Sequence, residues 1–283
     1  MFAAPLFAFH LDPGVWLRAG GALIAFCLAS SSIYLLNDSI DVSADRSHPS
    51  KRNRPIAAGL VSVPIALSLS VLLAFISLTL SAAISKLLAA VILTYIVIQL
   101  SYCLHLKREP IIDLFCISAG FLLRASAGGV AGRLSLSPWF LLTVALLALF
   151  LAIEKRKAEL QVGLDSGVIT RQVLARYSLP LLLRLEGLVS TSAFMSYSRW
   201  AAGPSLGGAS TSWMLITVPF VLVGIFRYQL LSDPEETKRR SSLFPDQTSE
   251  KPEEILLGDR GIKMTLLGWL ITTMAIGVFS SIR

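Results

Sequence analysis

Eight long apolar runs constrain the fold of this chain more than any other feature of its sequence. They lie near residues 16–36, 61–83, 86–105, 111–132, 138–153, 179–198, 212–231 and 262–282. A helix needs roughly 20 apolar residues to cross a bilayer core of about 30 Å, and these runs approach or reach that length. Backbone in lipid must satisfy its own hydrogen bonds, and the runs lack the short alternating pattern of a membrane barrel. We therefore predict an all-α membrane protein.

The composition agrees with a membrane protein and favours a single domain. Hydrophobic residues make up 54% of the 283 residues, charged residues make up 15%, and the mean hydropathy is +0.69. Residues 2–9 are also apolar but too short to cross a bilayer. We interpret residues 1–283 as one integral membrane domain.

The basic residues are concentrated on one side of the predicted membrane topology. Of the 25 lysines and arginines, 18 fall in or at the edges of the connections that follow the first, third, fifth and seventh runs. By the positive-inside rule these connections face the cytoplasm. The net charge of +7 thus reflects topology, and we expect a membrane partner and no nucleic acid.

The stretch "NDSIDVSADRSHPSKRNRPIAAG" directly follows the first run and carries an unusual density of charge. Its first polar side chains recur at intervals of three and four residues, which places them on one helix face: Asn37, Asp38, Asp41 and Asp45. Clustered carboxylates repel one another unless a cation neutralises them, and oxygen ligands of this kind suit Mg²⁺. Lys51 and Arg54 are suited to an anionic ligand. A helix cap followed by a solvated loop remains an alternative.

A second charged stretch, "EKRKAEL", begins at residue 154. Lys155 and Glu159 are four residues apart and share a helix face, with Arg156 adjacent. Ammonium and guanidinium groups favour direct salt bridges to phosphate over a metal site. A cytoplasmic positive cluster at a helix end remains an alternative.

Arg124 lies inside the predicted span 111–132. An unpaired arginine at the centre of a span costs about 2.5–3.5 kcal/mol, so such residues usually face the interior of the bundle and mark a substrate path. Arg184 and Glu186 lie near the predicted cytoplasmic end of their run, where snorkelling explains Arg184, and we leave both outside the site.

The first charged stretch resembles the aspartate-rich signature NDxxDxxxD of the UbiA superfamily of membrane prenyltransferases. The similarity continues through "SYCLHLKREPIIDLFCISAGFLLRASAGGVAG", "WFLLTVALLALFLAIEKRKAEL" and "PEEILLGDR". These segments look like the decaprenyl-phosphate phosphoribosyltransferase branch. Aromatic prenyltransferases of the superfamily usually carry a second pair, DxxxD, where this chain has "EKRKAEL".

The resemblance implies an enzyme that uses Mg²⁺ and transfers 5-phosphoribosyl from phosphoribosyl diphosphate to a polyprenyl (decaprenyl-type) phosphate lipid, releasing diphosphate. Such a reaction is a step towards lipid-linked arabinose for cell-wall arabinogalactan. The resemblance also implies a bacterial-type inner membrane, a chamber facing the cytoplasm and nine transmembrane helices. We read eight complete spans, with residues 2–9 as a truncated first helix. Homo-oligomer formation remains open.

The resemblance and the residue chemistry together predict a set of site residues. The predicted catalytic residues are Asp38, Asp41, Arg124 and Lys155; the predicted substrate-binding residues are Lys51, Arg54, Tyr102, Lys107, Lys155, Arg156, Glu159 and Arg260; and the predicted metal ligands are Asn37, Asp38, Asp41 and Asp45.

Two alternative functions remain open from the sequence. The first is a UbiA-type aromatic prenyltransferase, against which the missing second DxxxD argues. The second is a non-enzymatic transporter of a phosphorylated solute. Charges at helix ends and the absence of a visible inverted repeat argue against transport.

The charge distribution predicts which connections are cytoplasmic: residues 37–60, 106–110, 154–178 and 232–261. Cysteines introduced at Ser50 or Ser242 should stay unlabelled when intact cells are treated with a membrane-impermeant thiol reagent. A cysteine at Ser135, in a connection of the opposite face, should be labelled and serves as the control. Labelling of either cytoplasmic position from outside would contradict the topology.

Overall fold

A computed structural model describes residues 1–7, 12–47, 51–166, 172–233, 235–236, 239 and 252–282. Throughout these residues the chain forms α-helices joined by turns and short 3₁₀ segments, and it contains no β-strand. The predicted all-α fold is therefore confirmed.

The α-helices of the described residues are numbered here in chain order. They are α1 (Ala3–Phe7), α2 (Pro13–Ile40), α3 (Val42–Ser47), α4 (Val63–Ile84), α5 (Lys86–Leu104), α6 (Ile112–Gly132), α7 (Pro138–Ser166), α8 (Leu179–Ala201), α9 (Val218–Leu231), α10 (Pro252–Gly258) and α11 (Arg260–Ile282). The 3₁₀ segments are Lys51–Asn53, Leu106–Arg108, Gln172–Arg176, Pro204–Leu206 and Ser212–Thr217.

Short polar side chains determine where several long helices begin. The Asp12 carboxylate accepts a hydrogen bond from the Gly14 N–H at 3.0 Å, at the start of α2. Ser85 does the same for α5, and Ser178 for α8. These side chains satisfy N–H groups that the first helical turn leaves without a partner. These side chains therefore mark the starts of α2, α5 and α8.

Seven stretches of helix are long and apolar enough to cross a membrane, as judged from the described part of the chain: Pro13–Ile40, Val63–Ile84, Lys86–Leu104, Ile112–Gly132, Pro138–Leu164, Ser212–Leu231 and Arg260–Ser280. Each corresponds to a predicted span. The remaining predicted span, 179–198, is the helix α8, but it is less apolar than the others. Its crossing of the membrane, and with it the count of eight spans, stays a prediction.

The helix α7 extends beyond its apolar run. The run ends near residue 153, but α7 continues to Ser166, as the shared helix face predicted for Lys155 and Glu159 requires. The charged residues of "EKRKAEL" are thus inside a helix, where several of them are buried against partners of opposite charge. The cytoplasmic position of residues 154–178 stays a prediction.

The chain divides into two compact units. The first comprises the described residues within Met1–Leu6, His10–Glu109 and Leu122–Ser135, and the second those within Phe7–Phe9, Pro110–Phe121 and Leu136–Arg283. The prediction of one domain over residues 1–283 stays a prediction.

The core of the first unit is built from small residues of α2 packed against α4, α5 and α6. Ala22, Ala25 and Ala29 are fully buried beside Phe26. The Ser77 hydroxyl donates to the Ala25 carbonyl at 2.6 Å. Small side chains and hydroxyl contacts let membrane helices approach closely, because lipid tails supply no hydrophobic drive for association.

The core of the second unit lies between α7, α8, α9 and α11. Its buried side chains include Phe150, Ile153, Leu182, Tyr228 and Ile262. Large apolar side chains elsewhere on the described helices are exposed, as expected of surfaces that contact lipid. This core surrounds the charged part of α7.

Candidate functional site

The aspartate-rich segment is helical across the junction of α2 and α3. The Asp41 N–H donates to the Asn37 carbonyl at 2.9 Å, and the Asp45 N–H donates to the Asp41 carbonyl at 2.8 Å. The one-turn hydrogen-bond pattern therefore continues through Asp41, where the two helices meet. Asp38 and Asp45 come to lie two turns apart on one face, as the spacing predicted.

Two cations neutralise the three aspartates. Nη1 of Arg54 donates to Oδ1 of Asp38 at 2.8 Å and to Oδ2 of Asp45 at 2.9 Å. Nζ of Lys107 donates to both carboxylate oxygens of Asp41, at 2.7 and 2.9 Å. We call these five residues the aspartate cluster. It brings together five of the predicted site residues within the first unit.

The loop after α3 positions Arg54. Ile56 and Ala57 are buried, and the Ala57 carbonyl accepts a hydrogen bond from Nε of Arg46 at 3.1 Å. Gly59 has a φ of 79°, a left-handed conformation that glycine adopts readily. The turn "PIAAG" thus folds the loop back beside α3 and carries Arg54 onto the aspartates.

The aspartate cluster fits Mg²⁺ in its chemistry but is not arranged as a metal site. Carboxylate oxygens and the Asn37 amide are ligands that this ion prefers. Among the residues that the structure describes, however, no three acidic, histidine or cysteine side chains converge as ligands. Each aspartate is instead engaged by a cation: Arg54 takes one oxygen of Asp38 and one of Asp45, whereas Lys107 takes both oxygens of Asp41.

Arg124 lies in the interior of the first unit, as an arginine inside a span should. Its Nη2 donates to the Tyr95 hydroxyl at 3.2 Å and to the Ser30 hydroxyl at 3.3 Å. Its guanidinium also lies 5.3 Å from the centre of the Tyr95 ring. Ser30 precedes Asp38 by eight residues, which is about 12 Å along a helix. The structure therefore places Arg124 deeper along α2 than the aspartate cluster.

A buried ion network surrounds Arg156 in the second unit. Nε of Arg156 donates to Oδ2 of Asp113 at 2.7 Å, and Nη1 donates to Oε2 of Glu159 at 2.5 Å. The Asp113 side chain is 0% exposed and the Arg156 side chain 1%. Because two carboxylates hold this guanidinium inside the bundle, its placement argues against the predicted contact with a substrate phosphate.

Tyr177 completes the network on the far side of Asp113. Its hydroxyl donates to Oδ1 of Asp113 at 2.7 Å and accepts from the Ile111 N–H at 2.5 Å. Burial raises the pKa of Tyr177 above its usual range, so the hydroxyl keeps its proton and remains a donor. Ile111 has a φ of 71°, an outlier for a β-branched residue, and this conformation directs its N–H to Tyr177.

A second buried network forms around Lys157. Its Nζ donates to Oε1 of Glu154 at 2.9 Å and to Oε2 of Glu186 at 2.6 Å, and all three residues are buried. Glu186, which we left outside the site, is thus buried where α8 packs on α7, and it pairs with Lys157. Removing one member of such a set leaves an uncompensated buried charge.

Lys155 differs from its two neighbours. It is half-buried and forms no ion pair with any residue that the structure describes. Lys155 and Glu159 share a face of α7, as their spacing predicted, and Glu159 pairs with Arg156. Of the three consecutive cations, Lys155 is thus the one with a charge to offer a ligand.

The remaining predicted residues are spread over both units. In the first unit, Lys51 is half-buried in a 3₁₀ segment and Tyr102 is half-buried on α5. In the second, Arg260 is exposed at the first position of α11. Beside it, Asp259 accepts from Nε and Nη2 of Arg227 at 2.7 and 3.0 Å. Those hydrogen bonds lower the pKa of Asp259.

Sequence reasoning missed several members of these networks. Asp113 had a usable signal, because it is an acidic residue inside an apolar run, the same feature that identified Arg124. Glu154 and Lys157 were visible in the motif but could not be matched to partners. No sequence feature pointed to Tyr177. It follows a stretch without a clear hydropathy or charge pattern, and its contact with Asp113 forms only in the folded chain.

Comparison with known proteins identifies the family. A model of the UbiA prenyltransferase family matches residues 1–248 of the chain. The chain belongs to this family. Its resemblance to the UbiA superfamily, inferred from the aspartate-rich signature and the similar segments that follow it, is therefore confirmed.

Curated relatives of this UbiA family member are similar along most of their length. The protein named decaprenyl-phosphate phosphoribosyltransferase in Mycolicibacterium smegmatis is 41% identical over 267 residues, covering 92% of this chain and 80% of the relative. The protein of the same name in Corynebacterium glutamicum is 39% identical, covering 88% and 72%. That of Mycobacterium tuberculosis is 36% identical, covering 91% and 81%.

Solved structures support the UbiA fold. A UbiA homologue from Archaeoglobus fulgidus, bound to GPP and Mg²⁺, matches with a TM-score of 0.70 over 97% of this chain and 93% of its own. The same homologue bound to DMAPP and Mg²⁺ matches with a TM-score of 0.71. Sequence identities of 18% and 17% mean that this likeness concerns the fold alone.

The buried ion pair predicts different effects for two adjacent substitutions. Arg156→Ala leaves the Asp113 carboxylate buried without its cation, which should destabilise the fold by about 3–5 kcal/mol. Lys155→Ala removes no ion pair and should change stability by less than about 0.5 kcal/mol. Thermal unfolding in detergent measures both, with Lys155→Ala as the matched control. Equal unfolding temperatures would contradict the role assigned to Arg156.

Proposed function

We propose that this chain transfers 5-phosphoribosyl from phosphoribosyl diphosphate to a decaprenyl-type polyprenyl phosphate, with release of diphosphate. The observation that carries the proposal is the 36–41% identity to three proteins named for this reaction, over about nine-tenths of the chain. The basic second stretch supports it, since a donor with a diphosphate and a 5-phosphate presents several anionic groups to cations.

The main requirement of the reaction is stabilisation of negative charge. An oxygen of the lipid phosphate forms a bond to the anomeric carbon of ribose, while the bond from that carbon to diphosphate breaks and its electron pair leaves with diphosphate. The acceptor is already ionised at neutral pH, so no general base is required. The protein has to orient two anionic substrates and stabilise the negative charge that develops on the leaving group.

In the first unit we assign this task to the aspartate cluster. Asp38 and Asp41, with Asn37 and Asp45, would hold Mg²⁺, which neutralises charge on the diphosphate when bound. In the structure Arg54 and Lys107 pair with these aspartates. When substrate is present, both side chains could bind phosphate oxygens in place of the carboxylates. Lys51 is close to Arg54 in sequence and adds positive charge to the loop.

In the second unit we assign donor binding to Lys155. Its ammonium has no carboxylate partner in the described structure, so a phosphate can engage it without breaking a buried ion pair. Arg260, exposed at the start of α11, is a further candidate for a phosphate contact. Arg156 and Lys157 instead stabilise α7 within the bundle.

The setting of the reaction follows from the same assignments. We propose a multi-pass protein of the bacterial inner membrane whose site faces the cytoplasm, where phosphoribosyl diphosphate is dissolved. The reaction would be a step towards lipid-linked arabinose for cell-wall polysaccharide. The basic connections on one side of the membrane support this orientation.

The test is incubation of the purified protein with labelled phosphoribosyl diphosphate and decaprenyl phosphate, with and without Mg²⁺. We expect Mg²⁺-dependent transfer of label into the lipid fraction. Transfer from geranyl diphosphate to an aromatic acceptor, with none from phosphoribosyl diphosphate, would establish an aromatic prenyltransferase. Solute flux in proteoliposomes without turnover would establish a transporter.

The assigned metal ligands predict loss of activity without loss of fold. Asp38→Asn and Asp41→Asn keep the size of each side chain but remove its charge. Each should lower kcat/KM by at least about 10- to 100-fold, the range seen for groups that merely support metal ligands. Asp233→Asn, at an exposed aspartate outside the cluster, is the control. Near-normal activity of either cluster variant at saturating Mg²⁺ would reject it as a ligand.

The position of Lys155 predicts a donor-selective defect. Lys155→Ala removes one charge-assisted phosphate contact, which is worth about 1.5–3 kcal/mol, or roughly 10- to 150-fold in apparent donor affinity. Apparent affinity for the lipid phosphate should change less. Each substrate is titrated with the other saturating. Equal weakening of both would mean that Lys155 acts only through the general electric field of the site.

A further inference from the structure

The three consecutive cations of α7 differ in what neutralises them. Arg156 is held by Asp113 and Glu159, and Lys157 lies between two buried carboxylates. Lys155 forms no ion pair within the described residues. Spacing along α7 does not explain why Lys155 is the cation without a carboxylate partner, because Glu159 is close enough in sequence to pair with either Lys155 or Arg156.

Glu159 can pair with either of two cations. It lies three residues after Arg156 and four after Lys155, and both spacings bring side chains together on a helix surface. In the structure its Oε2 accepts from Nη1 of Arg156. Pairing with Lys155 would neutralise the one ammonium that α7 leaves for a ligand. The pairing of Glu159 with Arg156 thus leaves Lys155 without a carboxylate partner among the described residues.

The orientation of Arg156 is set by groups outside α7. Asp113, from the first turn of α6, receives Nε of Arg156 on one carboxylate oxygen and the Tyr177 hydroxyl on the other. The Tyr177 hydroxyl is itself aligned by the Ile111 N–H. With both oxygens of Asp113 engaged, the plane of its carboxylate is fixed, and the guanidinium that it holds is directed at Glu159.

We propose that Asp113 and Tyr177 are positioning residues for the donor: through Arg156 they hold Glu159 away from Lys155, so that Lys155 remains available to a phosphate group. The inference rests on the proposed function for the identity of the donor, phosphoribosyl diphosphate. It assigns a role to two residues that contact neither the aspartate cluster nor Lys155.

A double-mutant cycle tests the proposal. Binding of phosphoribosyl diphosphate in the presence of Mg²⁺ is measured by calorimetry in detergent for the wild type, Tyr177→Phe, Glu159→Gln and the double variant. Tyr177→Phe should weaken binding by roughly 3- to 10-fold, a part of the effect expected from losing Lys155 itself. In the Glu159→Gln background the same change should have no effect, because the competing carboxylate is gone.

A second variant and a matched control separate positioning from stability. Asp113→Asn should behave like Tyr177→Phe in the same cycle. Tyr197→Phe removes another buried tyrosine hydroxyl of the second unit, one that bonds Thr217 and Trp269. It should lower the unfolding temperature to a similar extent and leave donor affinity unchanged.

The outcomes distinguish this inference from the proposed function. Weakening by Tyr177→Phe that is equal in both backgrounds would overturn the positioning role, even if wild-type transfer to decaprenyl phosphate is observed. Failure of both Tyr177→Phe and Asp113→Asn to fold, with Tyr197→Phe folded, would make the network purely structural. Absence of donor binding by the wild type would also overturn it. Coupled binding without transfer would leave the inference standing and overturn the proposed reaction.

Discussion

The need to neutralise charge inside a helical bundle is the constraint on which the rest of this structure depends. The Asp113 side chain is 0% exposed and that of Arg156 is 1% exposed, and each is held by the other. Desolvated charges persist only when they are paired and hydrogen-bonded. Because α7 finds such partners on α6 and α8, it continues as a helix to Ser166 and does not end where its apolar run ends.

The same requirement shapes both polar regions, although each is built differently. In the first unit, Arg54 and Lys107 reach the aspartates from connections between helices, where side chains are partly exposed. In the second unit, the partners of Arg156 and Lys157 come from helices: Asp113, Glu154 and Glu186 are buried, and Glu159 is half-buried. The first arrangement can exchange its cations for a metal ion and phosphate, whereas the second is suited to hold a helix in place. We therefore assign chemistry to the first and orientation of Lys155 to the second.

Much of the fold could be predicted from local patterns. Apolar runs indicated the long helices, and the intervals between Asn37, Asp38, Asp41 and Asp45 indicated one helical face. The pairing of charges could not be predicted, because Asp113 and Arg156 are 43 residues apart and their contact depends on how α6 packs against α7. Tyr177 was missed for the same reason.

The sequence by itself determined the lipid setting, the helical class and the identity of the chemical groups, since hydropathy, helical periodicity and family motifs are local properties of the chain. Only the tertiary structure decided which charges remain available. "EKRKAEL" presents Lys155, Arg156 and Lys157 as equivalent cations, and packing makes them different: two are buried against carboxylates and one is left for a ligand. Electrostatic interactions inside a protein depend on burial and distance, and neither can be read from the order of residues.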